Sequence, residues 1–157
     1  LDGDWTLTFT DRACSASTTG YRLTMRLVEG DFPDYRQVLP DNTKRRVKVD
    51  RAGLLAVCKR VAICAEGGNH TVRMSIEDDR VTMTGRAEHG DASDYTACDL
   101  SGQDIAMGVS VRLLMDALSA MREDTAILDI GNPLDPMLLR DDDSKDSLQV
   151  VMPMRLD

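Results

Sequence analysis

Few residues in this sequence of 157 residues could act as nucleophiles or metal ligands. They are Cys14, Cys58, Cys64, Cys98, His70 and His89. A thiol hydrolase would need Cys58 or Cys98 beside a histidine that the fold brings close. Cys58 and Cys64 are six residues apart in a predicted helix and so point in different directions. We therefore interpret the cysteines as buried structural thiols.

Motifs of catalysis and cofactor binding are missing from the sequence. The cysteines and histidines lack zinc-site spacing, and consecutive carboxylates at 141–143 point in different directions, as in a solvated turn. No glycine-rich nucleotide loop and no GxSxG motif occurs. We predict a non-catalytic protein without a metal or cofactor. The cysteine spacing favours the reducing cytoplasm, and no apolar run is long enough for a membrane span.

Charge is unevenly distributed along the chain. The net charge is −8, yet residues 41–60 carry seven basic side chains and two acidic ones. At helical spacing, Lys48, Arg51 and Lys59 share one face of the first predicted helix. This pattern favours a polyanionic partner over a limited surface, and an ordinary solvated helix face is the alternative.

Alternating apolar and polar residues predict an α+β fold with antiparallel sheets. A meander of three strands is predicted at 5–10, 13–18 and 21–28. Two similar halves then follow at 45–100 and 104–156, each reading strand, helix and three strands. Their helices are predicted at 51–66, capped by Asp50, and at 111–121, capped by Ser110. The recurrence indicates an internal duplication.

Two segments do not fit simple linkers or core strands. GDFPDYRQVLP at 30–40 has too many apolar residues for a plain linker, and its prolines leave no room for a helix. VVMPMR at 150–155 alternates like a strand, but Pro153 cannot donate to a ladder, which places this strand at an edge. Methionines there suit an adaptable apolar groove, although plain core packing is an equal alternative.

These two segments together resemble the bacterial DNA polymerase III beta subunit family, the replicative sliding clamps. The resemblance covers residues 21–156 and extends more weakly over 1–20. It implies the DNA-clamp fold, with helices on one face of antiparallel sheets. Residues 1–35 would be the last strands of the middle clamp domain and 36–157 a complete C-terminal domain. Since the chain starts at Leu1 rather than Met, we expect a fragment.

The resemblance also implies a function and its partners. Clamps of this family are homodimeric rings in the bacterial cytoplasm, associated with the nucleoid, and encircle duplex DNA without sequence preference. Short motifs of the polymerase III catalytic subunit, the clamp loader, other polymerases and repair proteins bind in a pocket. Topological retention needs little affinity, which suits an acidic protein with a basic inner face. Candidates for that face are Lys48, Arg51, Lys59 and Arg112.

Site residues are implied where this sequence matches the family. The expected peptide pocket comprises Pro33, Gln37, Val38, Ser110, Leu113, Val150, Met152, Pro153, Met154 and Arg155. Gln37, Ser110 and Leu113 replace a basic, an amide and an aromatic residue that relatives carry, so we expect a different motif preference. The ring interface is expected at Ile63, Cys64 and an acidic loop at 88–94. A free-standing peptide-binding module, or a truncated clamp that does not encircle DNA, is the alternative function.

Overall fold

The computed structural model describes residues 3–32, 34–40, 42–65, 70–88, 90–141 and 147–156. The chain divides into two compact units, Leu1–Asp34 and Tyr35–Asp157. The first unit is an antiparallel sheet in the order β1-β2-β3. Its strands are β1 (Thr6–Phe9), β2 (Ala13–Thr18) and β3 (Tyr21–Arg26). The predicted meander is thus confirmed.

The second unit contains both predicted halves. The first half has β4 (Arg45–Asp50), α1 (Arg51–Val61), β5 (Thr71–Glu77), β6 (Arg80–Ala87) and β7 (Gly90–Ser101). The second half has β8 (Ile105–Ser110), α2 (Val111–Ala120), β9 (Thr125–Ile130), β10 (Met137–Arg140), β11 (Gln149–Val151) and β12 (Pro153–Met154). Each half therefore runs strand, helix and further strands, as the duplication predicted.

Both helix starts are capped by the predicted side chains. Asp50 Oδ2 accepts a hydrogen bond from Gly53 N at 2.5 Å, and Ser110 Oγ accepts one from Leu113 N at 3.5 Å. Each cap satisfies an amide that has no partner within the helix. The caps fix the first turn of each helix directly after a strand.

The nine strands of the second unit form one sheet in the order β11-β10-β9-β4-β7-β6-β5-β8-β12. The 12-residue β7 joins its two halves, because 90–97 pair with β6 and 98–101 pair with β4. The end strands β11 and β12 are separated in sequence only by Met152. The sheet must therefore curve so that its two ends meet at this residue.

The core lies between the helices and one face of this sheet. Buried side chains of α1 and α2 share one cluster with alternate residues of the strands. In β4 the core residues are Val47 and Val49, and in β5 they are Val72 and Met74. Because side chains alternate along a strand, Lys48 and Arg73 lie on the opposite face, away from the helices.

Several sequence predictions need correction. Lys48 lies in β4 and not on the first helix, because Asp50 is the N-cap and the helix begins at Arg51. The α-helix ends at Val61 and a 3₁₀ turn follows at Ala62–Cys64, so Cys64 is not on the same helix as Cys58.

Two connecting segments also differ from prediction. Segment 30–40, expected to lack helix, contains a 3₁₀ helix at Tyr35–Val38, whose short turn tolerates the flanking prolines. Most of the expected acidic loop at 88–94 is strand, because β7 begins at Gly90 and pairs with β6.

The expected single tail strand is divided into β11 and β12, and Pro153 lies at an edge as predicted.

Candidate functional site

Part of segment 30–40 and one residue of the tail line the same cleft, which has a volume of about 490 Å³. Its lining residues are Gln37, Val38, Leu39, Pro40, Asn42, Asp135, Pro136 and Met152. The sequence prediction named Gln37, Val38 and Met152 from two segments more than a hundred residues apart. We refer to this cavity as the first cleft.

Pairing between β4 and β9 brings the linker to the first cleft. Arg45 pairs with Ile130 at the start of β4, and Lys44 N donates to Ile130 O at 3.0 Å. Lys44 Nζ also donates to Asn132 Oδ1 at 3.3 Å. The residues just before β4, including Asn42, are therefore held beside the turn that follows β9.

That turn supplies the opposite wall of the first cleft. Asp135 Oδ2 accepts hydrogen bonds from Asn132 N at 2.7 Å and from Asn132 Nδ2 at 2.9 Å. In the antiparallel register of β10 and β11, Met137 lies opposite Val151. Pro136 directly precedes Met137 and Met152 directly follows Val151, so the two lining residues flank the same strand pair.

The apolar lining of the first cleft is only partly covered. Val38 is 48% exposed and Met152 is 52% exposed. Apolar side chains left half exposed contribute free energy when a ligand covers them, at roughly 25 cal/mol per Å² buried. With the polar groups of Gln37, Asn42 and Asp135 at its rim, the cleft can hold an apolar side chain and hydrogen-bond a peptide backbone.

The other predicted pocket residues do not line this cleft. Pro153, Met154 and Arg155 line a separate cavity of about 640 Å³, here called the second cleft. Val150 is half-buried in β11. Ser110 is 6% exposed and its hydroxyl caps α2, whereas Leu113 is 51% exposed on that helix.

Pro33 lies outside the described residues. The sequence prediction missed Leu39, Pro40, Asn42, Asp135 and Pro136. The Gly-Asn-Pro turn signal before Asp135 and Pro136 was visible in the sequence. Only the strand register, however, places Pro136 beside Met152.

The four basic residues that were predicted to face DNA do not share one surface. Lys59 is exposed on α1 and Arg112 is exposed on α2. Arg51 is half-buried, and its Nε donates to Glu123 O at 2.6 Å, so it also ties α1 to the segment before β9. Lys48 lies on the opposite sheet face, and its expected position on the helix surface is wrong.

The predicted ring-interface residues lie near an open strand edge. Ile63 is 79% exposed and Cys64 is half-buried in the 3₁₀ turn after α1. Among the described residues, 90–97 of β7 pair only with β6, which leaves their other edge unpaired. Arg60 Nε contacts Asp94 Oδ2 at 2.5 Å, and this hydrogen bond lowers the pKa of Asp94.

The thiols are in environments unsuited to nucleophilic catalysis. Burial raises the pKa of Cys58 to about 12. Burial, with the nearby carboxylates of Asp79 and Asp99, raises the pKa of Cys98 to about 11. A catalytic thiol needs the opposite shift, so these cysteines do not support the hydrolase alternative. In the described part of the chain, no cluster of His, Cys, Asp or Glu is placed to hold a metal ion, and no helix is long and apolar enough to cross a membrane.

Comparisons with known proteins agree on one family. Residues 36–155 match the family described as DNA polymerase III beta subunit, C-terminal domain. The chain is 27% identical to a beta sliding clamp of Treponema pallidum, covering 98% of this chain and 43% of the relative. It is 30% identical to a beta sliding clamp of Pseudomonas putida, covering 90% and 39%. The chain thus spans about two fifths of the length of these relatives.

Solved structures give the same result. A DNA polymerase sliding clamp from Pseudomonas aeruginosa, crystallised with a ligand, superposes with a TM-score of 0.90 at 26% identity, covering 99% of this chain and 43% of that one. A sliding clamp from Bartonella birtlesii, bound to griselimycin, superposes with a TM-score of 0.91 at 25% identity, covering 99% and 42%. The predicted clamp fold is confirmed.

Proposed function

We propose, since the chain belongs to the DNA polymerase III beta subunit family through its C-terminal domain, that it is the C-terminal part of a sliding clamp. Residues 1–35 would be the last strands of the middle clamp domain and 36–157 the complete last domain. The whole protein would encircle duplex DNA as a homodimeric ring, in the bacterial cytoplasm and associated with the nucleoid. It would hold polymerases there without catalysing a reaction.

The first cleft is the observation that carries the proposal. Two apolar side chains from distant segments, Val38 and Met152, are half exposed in one cavity with polar groups at its rim. Short linear motifs bind such grooves through one or two apolar anchors. Partners would be the polymerase III catalytic subunit, the clamp loader, other polymerases and repair proteins. Val150 and the second-cleft residues Pro153, Met154 and Arg155 would extend the pocket.

Two further residues of the proposed pocket lie at the start of α2. Leu113 is half exposed and can contact a bound peptide directly, while buried Ser110 would hold the start of that helix in place. Gln37 would stand where relatives carry a basic residue, so this clamp would offer a neutral side chain there. We therefore propose that it prefers peptide motifs in which the residue that contacts Gln37 is neutral.

The helix surface supports a DNA-facing role. The helix α1 carries Arg51, Lys59 and Arg60 and no acidic residue, although the chain as a whole has a net charge of −8. We propose that Lys59, Arg51 and, on α2, Arg112 face the DNA phosphates. Because a ring is retained by topology, a few exposed cations suffice and tight binding would slow sliding.

The open edge of β7 supports the ring interface. Within the described part of the chain this edge of 90–97 has no strand partner, so its N–H and C=O groups can extend the sheet into a partner subunit. Ile63 is exposed and Cys64 half-buried near this edge, because their 3₁₀ turn packs on β6 and β7. We propose that these two residues supply the apolar part of the contact.

A peptide titration tests the proposed pocket. A labelled clamp-binding peptide from the polymerase should bind this chain, and Val38→Asp should weaken binding by about tenfold or more, because a charge replaces an apolar contact. Val28→Asp is the matched control, since Val28 is an exposed valine in the other unit. Equal loss in both variants, or none in Val38→Asp, would refute this use of the first cleft.

A second candidate function is a free-standing peptide-binding module. It is favoured by the position of the first cleft, whose described lining residues all belong to one unit. Retention of the full-length protein on nicked circular DNA decides between the two. A clamp is lost when the circle is linearised, whereas a peptide-binding module is not retained on either form.

A further inference from the structure

Three arginines converge on the second cleft, a cavity on the sheet face opposite the helices. Arg73, Arg86 and Arg155 line this cavity of about 640 Å³. In the described part of the chain, no ion pair joins any of the three to a carboxylate. Arg73 Nε makes one long hydrogen bond, to Ser75 Oγ at 3.4 Å. Their guanidinium groups are therefore available to a ligand.

Strand register explains why these side chains share one face. Met154 pairs with Gly108, Gly108 with Arg73, and Arg73 with Thr84, so all four lie in one row across β12, β8, β5 and β6. Arg86 lies two residues beyond Thr84 on β6 and so projects from the same face. Gly108 has no side chain, so Met154 and Leu156 of the tail pack directly over it, next to Arg73.

The other side of the second cleft is apolar. Pro153, Met154 and Leu156 line it directly after Met152, which lines the first cleft. Arginine binds carboxylates through its planar fork of donors, and methionine and proline offer an adaptable apolar surface. The second cleft thus combines carboxylate-binding groups with an apolar floor next to the first cleft.

We propose that the second cleft binds an acidic segment of a protein partner, in which glutamate or aspartate flanks an apolar residue. This inference rests on the proposed function, since it continues the peptide path from the first cleft along the tail.

A protein segment fits this cavity better than DNA does. Arg73 and Arg86 lie on the sheet face opposite α1 and α2, and Arg155 lines the same cavity, whereas the proposed DNA-facing cations lie on those helices. Asp91, which lies opposite Arg86 in the β6–β7 register, interrupts the basic surface on one side. A duplex bound on this face would not be retained by topology and would need a continuous row of cations, whereas a short acidic peptide needs only a local cluster.

The test uses blocked heptapeptides and the whole chain. The acidic probe has six glutamates around a central leucine, and the neutral probe has glutamines instead. Backbone amide shifts are followed by NMR during each titration. We expect the acidic probe to shift signals of Arg73, Arg86 and Met154 and to bind at least about fivefold more tightly than the neutral one at low salt. The advantage should decrease at high salt because the sites are exposed.

Matched double variants make the result specific. Arg73→Gln with Arg86→Gln should abolish the advantage of the acidic probe. Arg22→Gln with Arg26→Gln, a pair of exposed arginines in β3, changes the net charge equally and should preserve it. A polymerase peptide without acidic residues should bind the first cleft equally well in both double variants. That affinity reports separately on the proposed function and on correct folding.

Three results would overturn the proposal. The acidic probe could bind no better than the neutral one, or equally well to both double variants. Alternatively, a DNA oligonucleotide could shift the signals of the second cleft while the acidic probe does not. Failure of the polymerase peptide alone would count against the first cleft, and the heptapeptide comparison would still decide the role of the second.

Discussion

Replacing Gly108 with alanine inserts a methyl group where β12 lies against β8. An ideal Cβ at this position would lie 3.0 Å from Met154 C, closer still to Met154 O, and 3.1 Å from Leu156 Cδ2. Real Cβ atoms do not approach backbone so closely, so one strand must move. The strand β8 is held by six residue pairs with β5, whereas β12 pairs with it through only two. We expect β12 to be displaced.

The cost can be estimated from this geometry. One methyl group forced into a packed site costs about 1 to 3 kcal/mol. In a chain of this size, the melting temperature should decrease by about 2 to 12 °C. Because Met152 directly precedes β12, its side chain should also leave the first cleft. Losing one apolar anchor of about 1.5 kcal/mol corresponds to roughly tenfold weaker peptide binding.

Thermal unfolding and the peptide titration measure these two effects. Met152→Ala provides the comparison, because Met152 is half exposed: it should weaken the peptide by a similar factor and leave the melting temperature nearly unchanged. If Gly108→Ala changed neither stability nor affinity, the close packing of β12 on β8 would be refuted. A loss of stability with unchanged affinity would refute the link between β12 and the first cleft.

Three further outcomes are expected. Asp129→Ala should lower the free energy of unfolding by about 3 to 5 kcal/mol in chemical denaturation, because it removes the buried carboxylate that pairs with Arg140; a loss below about 1 kcal/mol would contradict this. The hydrogen bond from Arg60 lowers the pKa of Asp94, so the pair stabilises the fold above the unfolded pKa of about 3.9 and the effect is lost as pH falls through the folded pKa. Arg60→Gln should therefore raise the pKa of Asp94 in an NMR titration, and an unchanged value would contradict the contact. Burial raises the pKa of Cys58 to about 12, so mass spectrometry should show that iodoacetamide at pH 8 leaves it unmodified in the folded chain, and rapid alkylation there would contradict its burial.

Local sequence signals predicted most of the elements correctly. Alternation identified the meander of the first unit and the strands of both halves, and the side chains of Asp50 and Ser110 marked both helix starts. These signals act over a few residues, so one sequence suffices to read them. Lys48 was misplaced because helical periodicity was extended across Asp50 into a strand.

The remaining errors concern contacts between distant segments. The tail was predicted as one strand, yet β11 pairs with β10 and β12 pairs with β8, because Met152 lies where the two ends of the sheet meet. Pro136 and Asp135 join the first cleft through the pairing of β4 with β9 and the register of β10 with β11. No local pattern encodes such a register, which depends on the packing of whole strands.

Mapping a bound polymerase peptide by NMR tests the central claim most directly. If the first cleft is the peptide site, the largest shifts should come from Gln37, Val38 and Met152, which only the fold brings together. The signals of exposed Val28 should remain unchanged in the same titration. Binding that leaves Val38 and Met152 unshifted would contradict the claim that the linker and the tail form this site.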